Sequence, residues 1–275
     1  MKRGPIGWIA LIAGLAVLAA LVLVPIYLVA SSSFKLPREI INRVPSWFPK
    51  SFTLQHYQKL LATSDFPTYF GNSVLVSSVS ALLTVVLATL AGYAFFRLEF
   101  RGRDALYRAV MVAYAFPSIV ILIPIYLMFA KAGLIDTRAA LVIVNVTFAL
   151  PFSIWMMRTF FASLPKELEE AASIDGAGLA ATAWYILIPL LGPGLASIAI
   201  FAFVSAWTEY LFASVLILSD AKRTLPVGLS GIIGQYQIDW GLLLAGATLS
   251  VVPVVIFFAF VGRWFVSGLT EGAVK

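Results

Sequence analysis

Long apolar runs constrain this chain more than any other feature of its sequence. Of its 275 residues, 61% are hydrophobic and only 12% are charged, and the excess lies in runs separated by short polar stretches. Soluble domains are about 45–50% apolar and about 25% charged. Because roughly 20 consecutive apolar residues cross a bilayer, the sequence predicts an all-α membrane protein with about six transmembrane helices.

The apolar runs also set the predicted organisation of the chain. We expect spans over residues 6–30, 71–96, 106–130, 139–160, 191–217 and 243–266. The first run follows Lys2 and Arg3 as a signal peptide would, but it exceeds the roughly 7–15 residues of a signal core and is interpreted as an uncleaved span. Kinks are expected at Pro117, Pro124, Pro151 and Pro253. A polar segment over 31–70 predicts short amphipathic helices, for example around 53–62, and the whole chain 1–275 is expected to form a single domain.

The charge pattern bears on partners and orientation. The net charge is +6, but no basic stripe with interleaved aromatic residues occurs, so nucleic acid is not an expected partner. Lysine and arginine instead flank the predicted spans, as in membrane proteins. The cluster Arg97, Arg101, Arg103 and Arg108 favours placing the N-terminus, and with six spans also the C-terminus, in the cytosol.

Several chemistries are excluded by the residues that are missing. The chain has no cysteine and one histidine, His56, which excludes cysteine-ligated zinc, iron–sulfur clusters, a cysteine nucleophile and a multi-histidine metal site. No Gly-Lys dipeptide is present, so the phosphate-binding loop of ATPases is missing. We therefore expect no catalytic residue, no metal and no cofactor in this chain. An intramembrane enzyme is disfavoured by the lack of a His-Glu-x-x-His pattern, whereas a membrane scaffold or receptor remains open at this point.

The segment 161–190 is the most informative polar stretch. It predicts two short helices, the first capped by Ser163, started by Pro165 and ended at Asp175-Gly176, the second stopping at Pro189. Glu167, Glu169 and Glu170 lie near the positive end of the first helix. Ala171 and Ala172 suggest a small apolar face that enters a groove on a partner. An ordinary amphipathic helix on the membrane surface fits the same pattern.

At fixed offsets, Glu170-Ala171-Ala172, Asp175-Gly176-Ala177, Ile186 and Pro189 resemble the EAA motif of ABC importer permeases. Ala183 and Ile188 depart from it, standing where an aromatic residue and leucine are usual. The resemblance implies a cytosolic coupling segment that docks on an ATPase subunit. It assigns that coupling role to a set of seven residues, namely Glu169, Glu170, Ala171, Ala172, Asp175, Gly176 and Ala177.

Further stretches resemble the carbohydrate branch of that family, in particular its second, maltose-type membrane subunit. These stretches are Ser33-Phe34-Lys35, Asn72-Ser73, Tyr93-Ala94 with Arg97 and Phe100, Trp207-Thr208-Glu209-Tyr210, and Gly268–Lys275. The resemblance implies a type I ABC importer permease fold in a bacterial or archaeal cytoplasmic membrane. It also implies alternating access and four partners: a second permease subunit, two cytoplasmic ATPase subunits that bind ATP and Mg²⁺, and an extracytoplasmic sugar-binding protein.

The substrate pathway is predicted from residue chemistry. Glu209 is the one acidic residue well inside a predicted span, which suggests a cavity or interface role. A structural ion pair or a protonated, buried acid would also explain it. Aromatic, amide and hydroxyl groups that suit a sugar are found at Trp207, Thr208, Asn145, Tyr114, Tyr126, Thr147 and Trp155. Each aromatic residue could equally serve packing. Glycerol-phosphate or another small solute is the alternative cargo, but the spans contain no well-buried lysine or arginine, which favours a neutral sugar.

Overall fold

A computed structural model describes residues 5–233 and 238–271. In these ranges the named elements are helices, and an isolated antiparallel bridge joins Ile233 and Ile238. Four helices are long and apolar enough to cross a membrane, and the count rises to six if each of two bent pairs forms one span. The predicted all-α membrane architecture is confirmed. Lys2, Arg3 and residues 272–275 of the C-terminal resemblance lie outside the described residues.

The predicted spans correspond to helices with the following bounds. The spanning helices are α1 (Pro5–Ser32), α4 (Phe66–Arg97), the pair α5 (Arg103–Tyr114) and α6 (Ser118–Lys131), α7 (Arg138–Ser163), α11 (Gly192–Trp207) with the segment Ala183–Leu190 before it, and α14 (Trp240–Glu271). The shorter helices are α2 (Pro37–Ile40), α3 (Gln55–Thr63), α8 (Glu167–Ile174), α9 (Leu179–Thr182), α10 (Ile188–Leu190), α12 (Leu211–Leu216) and α13 (Leu225–Ser230). Helix α3 confirms the short helix expected around 53–62.

The third predicted span is broken rather than kinked. Helices α5 and α6 differ in direction by 103°, and Pro117 lies directly before α6. A proline disfavours helical backbone at the preceding residue, here Phe116, so one helix ends and another begins. The other expected kink positions, Pro124, Pro151 and Pro253, lie inside helices that continue through them.

The fifth predicted span is wrong as a single helix over 191–217. Helix α11 ends at Trp207 and α12 begins at Leu211, so three residues without helical structure interrupt the apolar run. On the other side of α11, the segment Ala183–Leu190 meets it at 69°. Apolar composition could not reveal the interruption after Trp207, because the apolar run continues on both sides of it.

Contacts divide the chain into two compact units, and each is described on its own. The first consists of residues up to Pro67 together with Gly228–Val252. In it the stretch Ser33-Phe34-Lys35 anchors the loop after α1. Ser33 and Lys35 are buried, the Ser33 Oγ lies 2.6 Å from the Tyr57 hydroxyl, and the Lys35 Nζ donates to the Ser46 carbonyl at 2.5 Å. These residues of the sugar-branch resemblance therefore have a structural role in this unit.

His56 is part of the buried core of the first unit. Its imidazole is buried, with Nε2 2.8 Å from the carbonyl oxygen of Lys35. The ring lies so close to Gly241 that a Cβ there would be 2.0 Å from it. Only glycine leaves room for this contact between the histidine and α14.

The second unit, Thr68–Val227 with the chain from Pro253 onward, is organised around α7. One buried cluster joins α7 to α4 and α12 and includes Val76, Val144 and Leu216. Another joins α7 to α4 and α11 and includes Ala88, Met157 and Ile198. Small residues permit close helix packing within membranes, which explains the packing at Gly92 and Gly194. At each of these glycines an added Cβ would lie 2.7 Å from a residue of α7, Met157 and Phe160 respectively.

Candidate functional site

The predicted coupling segment begins with α8. Its preceding residue is Lys166, and no side chain caps its first turn. The expected cap at Ser163 is wrong, because Ser163 is the last residue of α7 and its hydroxyl donates to the Phe160 carbonyl at 2.7 Å. The first turn instead carries Glu167, Glu169 and Glu170, whose charges favour the positive end of the helix dipole.

The end of α8 follows the predicted pattern. Gly176 has φ +80, a left-handed conformation that favours glycine. The Gly176 N–H donates to the Ser173 carbonyl at 3.1 Å, and the Ala177 N–H donates to the Ala172 carbonyl at 2.9 Å. These two bonds form a Schellman motif. The spacing of Ala172, Gly176 and Ala177 in the coupling motif thus corresponds to a helix ending that reverses the chain.

The two alanines predicted to form one small apolar face of α8 lie on opposite sides of the helix. Ala172 is buried at 4% exposure, whereas Ala171 faces outward. Glu170, Ser173 and Asp175 are also exposed, and Ile174 is the most exposed large apolar side chain of the segment, at 86%. The outward surface available to a partner therefore combines a carboxylate at Glu170 with an apolar side chain at Ile174.

Glu169 faces α4 instead of solvent. Its Oε1 lies 2.7 Å from Arg97 Nε, and these side chains are only 20% and 5% exposed. Arg97 Nη2 also donates to the Leu164 carbonyl at 2.8 Å, and the Tyr93 hydroxyl donates to Glu169 Oε2 at 3.3 Å. The resemblance groups Glu169 with the docking residues, but its contacts tie α8 to the end of α4.

The second half of the coupling segment is not one helix stopping at Pro189. After α9, residues Ala183–Leu187 form a π-helix, and α10 contains Pro189 within its first turn. Proline is tolerated there because an N–H in the first turn has no partner in the helix. The π-helical turn exposes Trp184 at 67% and Tyr185 at 76% while Leu187 is buried. Short π-helical turns occur frequently at functional sites.

A second candidate site is a cavity of about 580 Å³ between α6, α7 and α11. Three of the six residues predicted for the substrate pathway line it: Tyr114, Asn145 and Glu209. Both helix interruptions border the cavity, with Ala115–Pro117 on one side and Glu209 on the other. Most of the remaining lining is apolar, including Phe148 and Phe201, and it contains no lysine or arginine among the described residues.

Glu209 acts as a cap for α12. One carboxylate oxygen accepts from the Phe212 N–H at 2.7 Å and the other accepts from the Ala213 N–H at 3.0 Å. Backbone N–H groups at the start of a helix lack partners within that helix, and its dipole favours negative charge there. This arrangement explains how a carboxylate is accommodated in an apolar stretch where no described residue forms an ion pair with it.

The other predicted pathway residues lie outside this cavity lining. Trp207 is buried against Phe70 and Phe203. The Thr208 hydroxyl donates to the Val204 carbonyl at 2.9 Å, and Tyr126 packs on the core cluster around α12. Thr147 and Trp155 are exposed on α7. These five residues therefore serve packing or local hydrogen bonds in this structure.

A polar cluster that the sequence did not predict fixes the loop before α13. Asp136 has φ +58, and its carboxylate accepts from the Ser219 N–H and hydroxyl and from Lys222 Nζ at 2.8–2.9 Å. The Lys222 ammonium, followed by the Ser219 donors, holds the pKa of Asp136 well below its usual range.

Asn72 holds the same loop from α4. Its Nδ2 donates to the carbonyls of Ala221 and Arg223 at 3.0 and 2.8 Å, while its Oδ1 accepts from Arg138 Nε at 2.8 Å. The neighbouring Ser73 Oγ also accepts a hydrogen bond from the Leu225 N–H at 2.7 Å. The pair Asn72-Ser73, which the family resemblance includes, was therefore the one sequence feature that pointed to this loop.

Comparison with known proteins identifies the relatives of this chain. Residues 84–271 match the family described as "Binding-protein-dependent transport system inner membrane component". The chain is 37% identical to the inner membrane ABC transporter permease protein YcjP of Escherichia coli, with 95% of this chain and 94% of that protein covered.

Two further comparisons concern a named sugar system and a solved structure. The chain is 37% identical to the trehalose/maltose transport system permease protein MalG of Thermococcus litoralis, covering 81% of each chain. It also resembles a chain in the crystal structure of a bacterial ABC transporter involved in the import of the acidic polysaccharide alginate. That comparison has a TM-score of 0.83 and 24% identity and covers 96% of this chain and 99% of the other. The fold similarity confirms the predicted ABC importer permease fold.

Proposed function

Because this chain belongs to the family of binding-protein-dependent transport system inner membrane components, we propose that it is the maltose-type permease subunit of an ATP-driven importer for a neutral di- or oligosaccharide. The multi-pass fold and the inner-membrane family agree with this role. A relative named for trehalose and maltose transport, 37% identical to this chain, supports the sugar cargo.

The observation that carries the proposal is the geometry of the coupling segment. The Schellman ending at Gly176 reverses the chain and leaves Glu170 and Ile174 exposed. A short helix held firmly by the protein and exposing one acidic and one apolar side chain suits a groove on a partner. The proposed partner is a cytoplasmic ATPase subunit that binds ATP and Mg²⁺. A second permease subunit would bind the second ATPase subunit in the same way.

In the proposed mechanism, α8 transmits movement of the ATPase to the membrane helices. Its links are the Arg97–Glu169 ion pair and the hydrogen bond from Arg97 to the Leu164 carbonyl. When the ATPases close on ATP, displacement of α8 would move the ends of α4 and α7 together. Rigid-body movements of this kind couple two-state assemblies, here the inward-open and outward-open states of alternating access.

The cavity suits a neutral cargo better than an anionic one. Asn145 and Tyr114 offer amide, hydroxyl and aromatic groups to a sugar. The one acidic lining residue, Glu209, has both carboxylate oxygens bonded to backbone N–H groups, and the described lining supplies no cation for a phosphate. Glycerol-phosphate is therefore the less favoured cargo.

The proposal places the coupling segment in the cytosol. With six spans, the N- and C-termini then lie on the same cytosolic side, and the sugar-binding protein delivers cargo at the opposite face. Protease protection in oriented vesicles checks this orientation at the exposed coupling segment.

The coupling role is tested with two substitutions of Gly176. Gly176→Val forces a β-branched residue into φ +80, at a cost of about 1–3 kcal/mol, whereas Gly176→Asn fits because asparagine tolerates the left-handed region. Beyond the two adjoining residues, no described atom lies within 4 Å of a Cβ at this position, so the difference between the variants reports the backbone. The assay is ATP hydrolysis stimulated by maltose, trehalose and glycerol-phosphate in vesicles that contain the co-expressed permeases, ATPases and binding protein.

We expect stimulation by a neutral disaccharide, retained with Gly176→Asn and reduced at least about tenfold with Gly176→Val. Equal stimulation in both variants would refute the coupling geometry. Stimulation by glycerol-phosphate alone would replace the proposed cargo while keeping the permease assignment.

A further inference from the structure

The loop after α1 presents an ordered apolar surface in the first unit. Three of its exposed apolar side chains lie close together in the sequence, and they are called the aromatic loop patch: Val44, Trp47 and Phe48, at 77%, 57% and 72% exposure. Exposed apolar surface can mark a site that a partner or a membrane covers.

Hydrogen bonds hold the patch at a defined place beside α1. The Tyr27 hydroxyl and the Ser31 hydroxyl both donate to the Trp47 carbonyl, at 3.0 and 2.9 Å. The Phe48 ring packs edge-on against Tyr27 with centroids 6.1 Å apart. The patch is therefore attached to the last two turns of a spanning helix.

Glu39 links the middle of the patch to the residue Lys50 that follows it. Its carboxylate accepts from the Ser46 hydroxyl at 2.5 Å and from the Lys50 N–H at 3.1 Å. The patch side chains are thus directed outward by a closed loop.

The depth of this attachment matches a membrane surface. Trp8 and Tyr27 are exposed near opposite ends of α1 and lie roughly 28 Å apart along a helix that rises about 1.5 Å per residue. The hydrocarbon core of a bilayer is about 30 Å thick, and tryptophan and tyrosine are enriched at both of its surfaces. Tyr27 therefore marks one interface, and Trp47 and Phe48 lie beside it.

From these positions, we propose that the aromatic loop patch inserts into the lipid headgroup region where α1 leaves the membrane and anchors this loop to the bilayer surface. Trp47 and Phe48 would bury their rings beside Tyr27. Exposed Arg43 and Lys50 flank the patch and would lie at the level of the lipid phosphates. The inference depends on membrane insertion of α1 and not on transport.

The absence of cysteine from the chain allows a direct test by spin labelling. Phe48→Cys and Val44→Cys, each labelled with a nitroxide, are reconstituted in phosphatidylcholine–phosphatidylglycerol vesicles as the full chain with its co-expressed partner subunits. Collision rates with oxygen, which partitions into lipid, and with a water-soluble nickel chelate report the surroundings of each label. Leu21→Cys in the exposed middle of α1 is the lipid reference. Asp220→Cys, at a side chain that is 67% exposed in the loop before α13, is the water reference.

We expect both patch labels to give an oxygen-to-nickel ratio between the two references and at least about threefold above that of Asp220→Cys. A ratio equal to that of Asp220→Cys would place the patch in water and overturn the proposal. Low collision rates with both reagents would mean that a protein partner covers the patch, which would also overturn it. Two label positions guard against a local disturbance at either one.

Discussion

At the scale of single residues, Glu169 and Glu170 are neighbours with different surroundings and should have different roles. Replacing Glu169 by Gln leaves the Arg97 guanidinium, 5% exposed, without its opposite charge, and breaking a buried pair costs about 3–5 kcal/mol. We expect a clear fall in the Tm of the purified complex. Glu170→Gln changes an exposed side chain and should leave the Tm unchanged while it lowers stimulated ATP hydrolysis.

The exchange variant Arg97→Glu with Glu169→Arg provides the control for the charge pair. It keeps opposite charges at the two positions and should recover part of the lost Tm, whereas Arg97→Glu alone should not. Identical Tm values for Glu169→Gln, Glu170→Gln and the unmodified protein would show that the pair contributes nothing to stability.

Asp136 gives a prediction in pH. The Lys222 ammonium and the Ser219 donors lower the pKa of Asp136, so the folded state favours the charged carboxylate. Its contribution is present above the ordinary carboxyl pKa of about 4 and is lost as pH falls below that value. Asp136→Asn should therefore have a lower Tm than the unmodified protein at pH 7, and the difference should shrink when both are measured near pH 3.

Asp220→Asn is the matched control, because it makes the same chemical change at a carboxylate that is 67% exposed. Its Tm difference from the unmodified protein should be small at both pH values. A difference for Asp136→Asn that stays constant between pH 7 and pH 3 would argue against the charged network.

At the scale of elements, the close contact between α4 and α7 predicts opposite effects for two glycines of α4. A Cβ at position 92 would lie 2.7 Å from the Met157 Cβ, so Gly92→Ala must separate two packed helices, at a cost of about 1–3 kcal/mol. Gly71 has open space around it, and Gly71→Ala should raise the Tm slightly because alanine favours helix by about 0.5–1 kcal/mol. Thermal unfolding of both variants in detergent checks the prediction, which equal shifts would contradict.

The helices show which structural features could be predicted from the sequence and which could not. Apolar runs predicted the spans because burial of a helix in lipid depends on composition, and Asp175-Gly176 predicted the end of α8 because its chemistry is local. The interruption between Trp207 and Leu211 was missed, since the apolar run continues through it and only Glu209 marks it. The hydrogen bonds and the ion pair that join Asn72 and Arg97 to residues far along the chain depend on tertiary packing. Local sequence patterns do not reveal such packing.

At the scale of the whole molecule, the second unit brings together two interrupted helices and one cavity. The break before α6 and the break after α11 both border the space lined by Tyr114, Asn145 and Glu209. Irregular backbone at membrane depth occurs where it lines a cavity, and transporters use the freed ends of broken helices to form binding sites. The interruptions thus support the proposed pathway more strongly than the individual sugar-like residues do.

Glu209 allows the structural and the charge-based roles to be separated. Glu209→Ala frees the Phe212 and Ala213 N–H groups, and loss of a cap costs about 0.5–2 kcal/mol. Glu209→Gln removes the charge but keeps an oxygen that accepts a hydrogen bond. If capping of α12 maintains the cavity, sugar uptake into vesicles should fall about tenfold with alanine and remain at least about half with glutamine.

Thr208→Val is the control, because it is a neighbouring change outside the cavity lining and should leave uptake unchanged. Equal losses with alanine and glutamine at position 209 would mean that transport requires the charge itself.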